Sequence, residues 1–179
     1  MTSSFEVLKN RINEIEEAIA SLLPVDPTQQ SESKYQDLIK ALVLLCHAEF
    51  EEYFEQIAKG SIDAIHCELE DLEIKETHLL SIKKQYESMR KLIDANNGIK
   101  LDNLKKFLPL TGFDLSSLEN DAYITKINSF AQKRGRIAHR GQTGIVSLMS
   151  FSDEKNEIDW LVKETKNSID VFFESEYGI

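Results

Sequence analysis

The sequence contains few of the residues that break helices or cross-link a chain. Only seven glycines, three prolines and two cysteines occur among its 179 residues, and no segment alternates apolar and polar residues in the manner of a strand. This scarcity disfavours the turn-rich all-β folds. If one helix carries Cys46 and Cys67, they lie about 31 Å apart at roughly 1.5 Å per residue, which excludes a disulfide between them. We expect both thiols to be reduced.

Long apolar runs and common enzyme motifs are also missing. The longest apolar run extends from Ala41 to Cys46, whereas a membrane-spanning helix needs about 20 residues. The first residues lack the basic start and apolar stretch of a secretory signal, so we expect a cytoplasmic protein that has no membrane partner. No Walker loop, dinucleotide-binding glycine motif, nucleophile elbow or paired-cysteine zinc motif is present.

Apolar residues recur instead every three or four positions, the spacing of helices buried on one face. The pattern predicts helices over about 4–23, 32–58 or beyond, 77–95, 121–140 and 152–174, and a short helix before Pro109. The fold class is therefore all-α, an antiparallel bundle of about five to six helices in a single domain, 1–179. The clearest apolar stripe marks the second helix as the central packing element: Ile39, Leu42, Val43, Cys46, Phe50, Tyr53 and Ile57.

The distribution of charge is more informative than its sum. The formal net charge of −10 argues against indiscriminate nucleic-acid binding. Residues 122–152, however, contain no Asp or Glu and carry five cations, so that the rest of the chain has a charge of −15. These cations are Lys126, Lys133, Arg134, Arg136 and Arg140. An acidic body with one basic segment predicts a single anion-binding site.

Two histidine–glutamate pairs could contribute to a metal site, although solvated or packing histidines are the preferred interpretation. His47 with Glu51, and His66 with Glu70, each lie one helical turn apart, but no third metal ligand is identifiable. We predict neither a metal nor another cofactor.

Arg134 and His139 lie in the basic segment, near the end of the helix predicted over 121–140. Arg134 falls on the side of the inward positions, which are Ile124, Ile127, Ala131 and Ala138. There it needs an anionic partner, either a glutamate of the second helix or a substrate phosphate. An imidazole can exchange protons at neutral pH, as RNA cleavage by the 2'-hydroxyl requires, and an arginine can stabilise the phosphorane. The structural alternative is a basic helix end with Arg134 bridged to a glutamate.

The motif of Arg134, four intervening residues and His139 resembles that of the HEPN superfamily of helical RNases. The resemblance includes its position on the penultimate long helix, before an amphipathic closing helix. Residues 44–55, LLCHAEFEEYFE, also resemble the long early helix of HEPN proteins from bacterial RNA-repair and defence neighbourhoods. The resemblance implies a metal-independent endoribonuclease that leaves a 2',3'-cyclic phosphate, typically a homodimer with two facing motifs. Arg134 would bind the scissile phosphate, His139 would be the general acid or base, and an acidic residue of the second helix, Glu49, would support Arg134.

The resemblance also sets expectations about partners. We expect a toxin or antiviral effector that acts on tRNA, mRNA or invader RNA, together with an antitoxin or a defence-system partner protein. Lys126, Lys133, Arg136 and Arg140 are the predicted RNA-binding residues. Many active members of the family have a polar residue, commonly Asn, directly after the motif arginine, where this sequence has Gly135. The alternative is therefore a non-catalytic HEPN-like module that binds RNA or a protein partner.

Overall fold

The computed structural model describes residues 3–70, 76–118, 122–140 and 149–178. Within these ranges the chain is helical and contains no β-strand, which confirms the all-α prediction. The helices are α1 (Ser4–Leu22), α2 (Ser33–Glu70), α3 (Glu76–Asp94), α4 (Leu101–Phe107), α5 (Ala122–Arg140), α6 (Phe151–Thr165) and α7 (Val171–Tyr177). Short 3₁₀ turns occupy Pro27–Ser31, Leu108–Thr111 and Leu115–Leu118.

Helix α2 is the central element, and its predicted apolar stripe is buried along its whole length. The sequence predicts this helix over 32–58 or beyond, with a possible break at Gly60, and in the structure it continues through Gly60 to Glu70. A glycine inside a helix costs about 1 kcal/mol relative to alanine. Burial of Ile57 and Ile62 on either side stabilises the helix by more than this, at roughly 1.5–3 kcal/mol for each side chain. Tertiary packing therefore overrides the local signal.

The closing helix differs from its prediction by one residue in phase. Between α6 and α7, Lys166–Asp170 forms a π-helical turn, which adds a residue relative to the α-helical period. Helical spacing in the sequence predicts Phe172 as the last inward residue of the closing helix. In the structure Phe173 is fully buried instead, and Phe172 is only half-buried. The turn also buries Asp170, whose carboxylate accepts a 2.9 Å hydrogen bond from the Tyr53 hydroxyl of α2.

Helix α5 has a row of buried side chains on one face, here called the seam, and Arg134 lies on this face. Tyr123, Ile127, Phe130 and Ile137 are buried at intervals of four, three and seven residues. Arg134 lies between Phe130 and Ile137, four residues after Phe130, where the spacing of the seam places an inward residue. Ala138, predicted to point inward, is exposed, because Ile137 takes that position in the seam.

Some predicted features lie outside the described residues. These are Glu119, which is predicted to form a capping box with Ser116, and Gly141, which is predicted to end the helix. Also outside are most of the loop predicted over 142–151 and residues 71–75 of the acidic stretch predicted over 68–76. The buried apolar side chains of the described residues form a cluster that extends from Phe5 to Phe173. None of the described helices combines the length and the apolar character needed to cross a membrane.

Candidate active site

A cleft of about 640 Å³ opens beside the C-terminal half of α5. Its lining comes from α5, from His47 of α2, and from the end of the α3–α4 connection with the first turns of α4. The lining residues are His47, Asn97, Gly98, Lys100, Asn103, Ala131, Gln132, Arg134, Gly135, Arg136 and His139. Lys100, Arg134 and Arg136 supply three positive charges, and no carboxylate lines the cleft within the part of the chain that the structure describes. The cleft therefore favours an anionic ligand.

Arg134 is half-buried and faces α2, close enough to influence the ionisation of two α2 side chains, His47 and Glu51. No residue of the described ranges forms a hydrogen bond or an ion pair with its guanidinium. A partly desolvated guanidinium presents five N–H donors in a planar fork that matches carboxylate or phosphate oxygens. Arg134 is thus placed to bind an anion that enters the cleft.

The acidic residue of α2 that lies near Arg134 is Glu51. Glu49, the residue expected there from the sequence, lies instead 3.5 Å from the guanidinium of Arg11 on α1. Positions 49 and 51 differ by about 200° around a helix, so they face different neighbours. Burial raises the pKa of Glu51, and the nearby charge of Arg134 opposes this rise.

His47 forms part of the cleft lining but is almost fully buried, with 2% of its surface exposed. Its ring stacks on Phe130 of α5, with 6.0 Å between ring centroids. Burial and, secondarily, the charge of Arg134 lower the pKa of the imidazole to about 4. His47 is therefore neutral at physiological pH. The sequence predicts a solvated or packing histidine here in preference to a metal ligand, and its position on the inward side of α2 is a signal that it faces α5.

We expect the substitution His47→Gln to flatten the pH dependence of unfolding between about pH 4 and 6.5. The pKa of His47 is lower in the fold than its ordinary value of 6.5, so the unfolded chain binds more protons in this window. Stability therefore falls as the pH falls through it, by up to about 3 kcal/mol below pH 4. Urea titrations from pH 4 to 7 measure the slope. His78→Gln, an exposed histidine of α3, is the matched control. An unchanged slope in His47→Gln would contradict the assignment.

His139 lies at the exposed rim of the cleft, one residue before the end of α5. It is five residues from Arg134, which corresponds to about 140° around the helix and about 7.5 Å along its axis. The two side chains therefore reach the cleft from different directions, with Arg134 inside and His139 at its edge. This arrangement suits an anion held by the arginine and a proton exchanged at the solvent side.

The other cations of α5 do not share one role. Arg136 is exposed and lines the cleft. Lys133 lies outside the cleft lining and bonds Glu154 at 2.7 Å and Glu157, thereby joining α5 to α6. Burial lowers the pKa of Lys133, but these hydrogen bonds outweigh burial and raise it overall.

The two remaining predicted RNA-binding residues are also outside the described lining. The ammonium group of Lys126 lies over the Trp160 ring, 5.2 Å from its centroid. Arg140 ends α5, and its side chain lies outside the described part of the structure.

Gly135 presents open space to the cleft, because a Cβ atom added to it would have no neighbour within 4 Å. We expect Gly135→Ala to increase the free energy of unfolding by about 1 kcal/mol, since alanine is the better helix former. Thermal or urea unfolding measures the change. The reverse substitution at an exposed α5 position, Ala138→Gly, should lower stability by a similar amount. A loss of stability in Gly135→Ala would show that this turn of α5 requires glycine.

The histidine–glutamate pairs considered as metal ligands are both present as side-chain contacts. His47 lies 3.8 Å from Glu51, and His66 lies 3.8 Å from Glu70. Over the described ranges, no group of three or more His, Cys, Asp or Glu side chains could hold a metal ion. The cysteines are free, Cys46 being buried and Cys67 exposed on the same helix.

Comparison with known proteins identifies the family. The RiboL-PSP-HEPN family model matches residues 63–174, more than half of the chain, including all of α5 with Arg134 and His139. No curated protein and no solved structure matches the chain. HEPN domains are often RNases, so the match supports an RNA-related role. The chain therefore belongs to the HEPN superfamily, within the family described as RiboL-PSP-HEPN.

Proposed function

We propose that the protein is a metal-independent endoribonuclease whose active site is the cleft beside α5. The observation that carries the proposal is the pairing of Arg134, which has no ion-pair partner among the described residues, with His139 at the rim of the same cleft. The lining formed by the described residues carries three cations and no carboxylate, so it attracts a phosphate. In RNA cleavage that uses the substrate's own 2'-hydroxyl, an arginine can stabilise the phosphorane and a histidine can carry out a proton transfer.

In the proposed reaction, the 2'-oxygen attacks the adjacent phosphorus atom and the bond from phosphorus to the 5'-oxygen breaks. The attacking hydroxyl loses a proton to a base, and the leaving 5'-oxygen gains one from an acid. Arg134 donates hydrogen bonds to the non-bridging oxygens, whose negative charge increases in the phosphorane. The products are a 2',3'-cyclic phosphate and a 5'-hydroxyl. His139 takes one of the two proton-transfer roles.

The neighbours of Arg134 support its role. Glu51, which we assign in place of Glu49, attracts the guanidinium toward α2 without pairing with it at ion-pair distance. His47 is neutral and adds no repulsive charge beside the guanidinium. With one acidic and one neutral side chain beside it, Arg134 keeps its donors available to a phosphate.

The position of His139 at the rim supports a homodimer. A single His139 supplies one proton-transfer group, and a two-fold axis at the mouth of the cleft would bring a second copy to the same phosphate. The acidic charge outside the basic segment disfavours non-specific RNA contacts, as expected of an effector with restricted targets. We propose a toxin or antiviral role for such a dimer, restrained by an antitoxin or a defence-system protein.

The second candidate function is a non-catalytic module that binds RNA or a protein partner through the same cleft. Gly135 favours it, because the family commonly has a polar side chain at this position and the open space beside Gly135 leaves that contact unmade. Such a module would bind an anionic ligand with Arg134 but would not cleave it.

The test is incubation of the purified chain with end-labelled single-stranded RNA and with tRNA in EDTA. We expect cleavage by the wild type and by Lys163→Ala, a charge change on the exposed surface of α6. The double variant Arg134→Ala, His139→Ala should be inactive. If wild type and double variant are folded and equally inactive, the catalytic proposal is lost. RNA binding by the wild type but not by the double variant would then support the non-catalytic module.

A further inference from the structure

We propose that a second wall of the cleft, formed by Asn97, Lys100 and Asn103 and here called the α4 wall, binds the nucleotide next to the scissile phosphate. This inference rests on the proposed function and extends it from the chemical step to substrate selection. In it, Lys100 contacts a neighbouring phosphate, and the two asparagine amides contact the edge of a base. The wall thereby determines which single-stranded sequences are cut.

The α4 wall is fixed relative to the α5 residues by hydrogen bonds at its two ends. The backbone N–H of Leu101 donates to Asn128 Oδ1 of α5 over 2.9 Å, and this bond replaces the side-chain cap that Lys100 does not provide. On the other side, Asn96 Nδ2 donates to Glu55 Oε1 of α2 over 3.3 Å. The wall is therefore joined to both helices that carry the candidate active site.

The side chains of the α4 wall have donors available to a ligand. Lys100 is exposed, and among the described residues it has no carboxylate partner. Asn103 Oδ1 accepts a 3.0 Å hydrogen bond from Lys106, which leaves the Nδ2 donors of the same amide facing Gly98. A Cβ atom at position 98 would lie 3.0 Å from Nδ2, so glycine permits this close packing. An amide presents the donor and acceptor pattern that recognises base edges, and a lysine suits a phosphate.

The dimensions and charges of the cleft fit more than one isolated phosphate. Its volume of about 640 Å³ lies within the roughly 300–1,000 Å³ typical of small-molecule sites. Its cations come from two separate elements, Arg134 and Arg136 from α5 and Lys100 from the start of α4. In the proposed complex, successive phosphates of a single strand contact these two groups of cations, and the base between them contacts the asparagines.

Binding is tested in the His139→Ala background, which slows cleavage, by fluorescence anisotropy of a labelled 12-nucleotide RNA over a range of salt concentrations. Lys100→Ala should weaken binding and reduce the slope of log K against log salt by about 0.7, the value for one phosphate contact on a single strand. Lys100→Glu, at the same exposed position, should weaken binding further. Lys163→Ala is the control with an equal change of charge away from the cleft, and it should leave the slope unchanged.

Base selection is tested with His139 intact, by comparing cleavage rates on uridine, adenosine and cytidine oligonucleotides. Asn103→Ala should change the ratio of these rates by about 5- to 100-fold, the range expected when one amide contact to a base edge is lost. Circular dichroism establishes that the variants are folded. Unchanged affinity, salt slope and base preference in Lys100→Glu and Asn103→Ala would overturn this inference and leave the nuclease proposal standing. Failure of the wild type to bind or cleave RNA would overturn both.

Discussion

Arg134→Ala is expected to lower the rate of RNA cleavage by about 10²- to 10³-fold, the effect of removing a donor that stabilises a developing oxyanion. The guanidinium lies inside the cleft, half-buried, and has no ion-pair partner within the described ranges. Its loss removes the charge nearest to the position proposed for the scissile phosphate. Single-turnover cleavage of a labelled RNA in EDTA measures this effect on the chemical step.

Arg134→Lys separates charge from geometry in the same assay. A lysine retains the positive charge but lacks the planar fork that contacts two phosphate oxygens, so we expect it to recover only part of the lost rate. Arg90→Lys is the matched control, because Arg90 pairs with Asp63 far along the bundle and does not line the cleft. Full activity in Arg134→Lys would show that charge alone is required. Full activity in Arg134→Ala would refute the assignment of Arg134.

His139→Ala is expected to lower the cleavage rate by about 10²- to 10⁴-fold, the usual contribution of a positioned acid or base. RNA binding should change little, because His139 is at the rim and the fixed charges of Arg134, Arg136 and Lys100 remain. The experiment therefore compares the single-turnover rate with the dissociation constant from anisotropy. A selective loss of rate identifies a proton-transfer residue.

His78→Ala provides the control for His139, because it removes an exposed histidine from α3 without altering the cleft. It should cleave at the wild-type rate. If His139→Ala instead weakened binding in proportion to its loss of rate, His139 would be a binding residue. If its cleavage rate equalled that of the wild type, the proton-transfer role would be excluded.

The sequence predicted most of the fold because helical periodicity is a local property. The stripe on α2 follows from residues three and four apart, and the structure confirms it. The basic segment was likewise visible without tertiary information, since it is a run of sequence that lacks acids. That residues 1–179 form one domain stays a prediction, and the apolar cluster from Phe5 to Phe173 supports it. The cytoplasmic location also stays a prediction.

The features that the sequence did not predict depend on contacts between distant residues. Glu51 rather than Glu49 lies near Arg134, because the orientation of α2 is set by its packing against several helices at once. The π-helical turn that brings Phe173 into the core has no signal in apolar periodicity. The α4 wall is attached to α5 by the hydrogen bond between Leu101 and Asn128, 27 residues apart. The spacing of apolar and charged residues within one segment does not indicate such contacts between distant residues.

If the cleft beside α5 cleaves RNA through the substrate's 2'-hydroxyl, an oligonucleotide without that hydroxyl must resist cleavage. The most direct test incubates the protein in EDTA with an RNA oligonucleotide and with the 2'-deoxy oligonucleotide of the same base sequence, followed by mass analysis of the product ends. We expect the RNA to be cut to fragments with 2',3'-cyclic phosphate and 5'-hydroxyl ends, and the deoxy oligonucleotide to stay intact. An RNA left uncut in EDTA, or equal cleavage of both oligonucleotides, would contradict it.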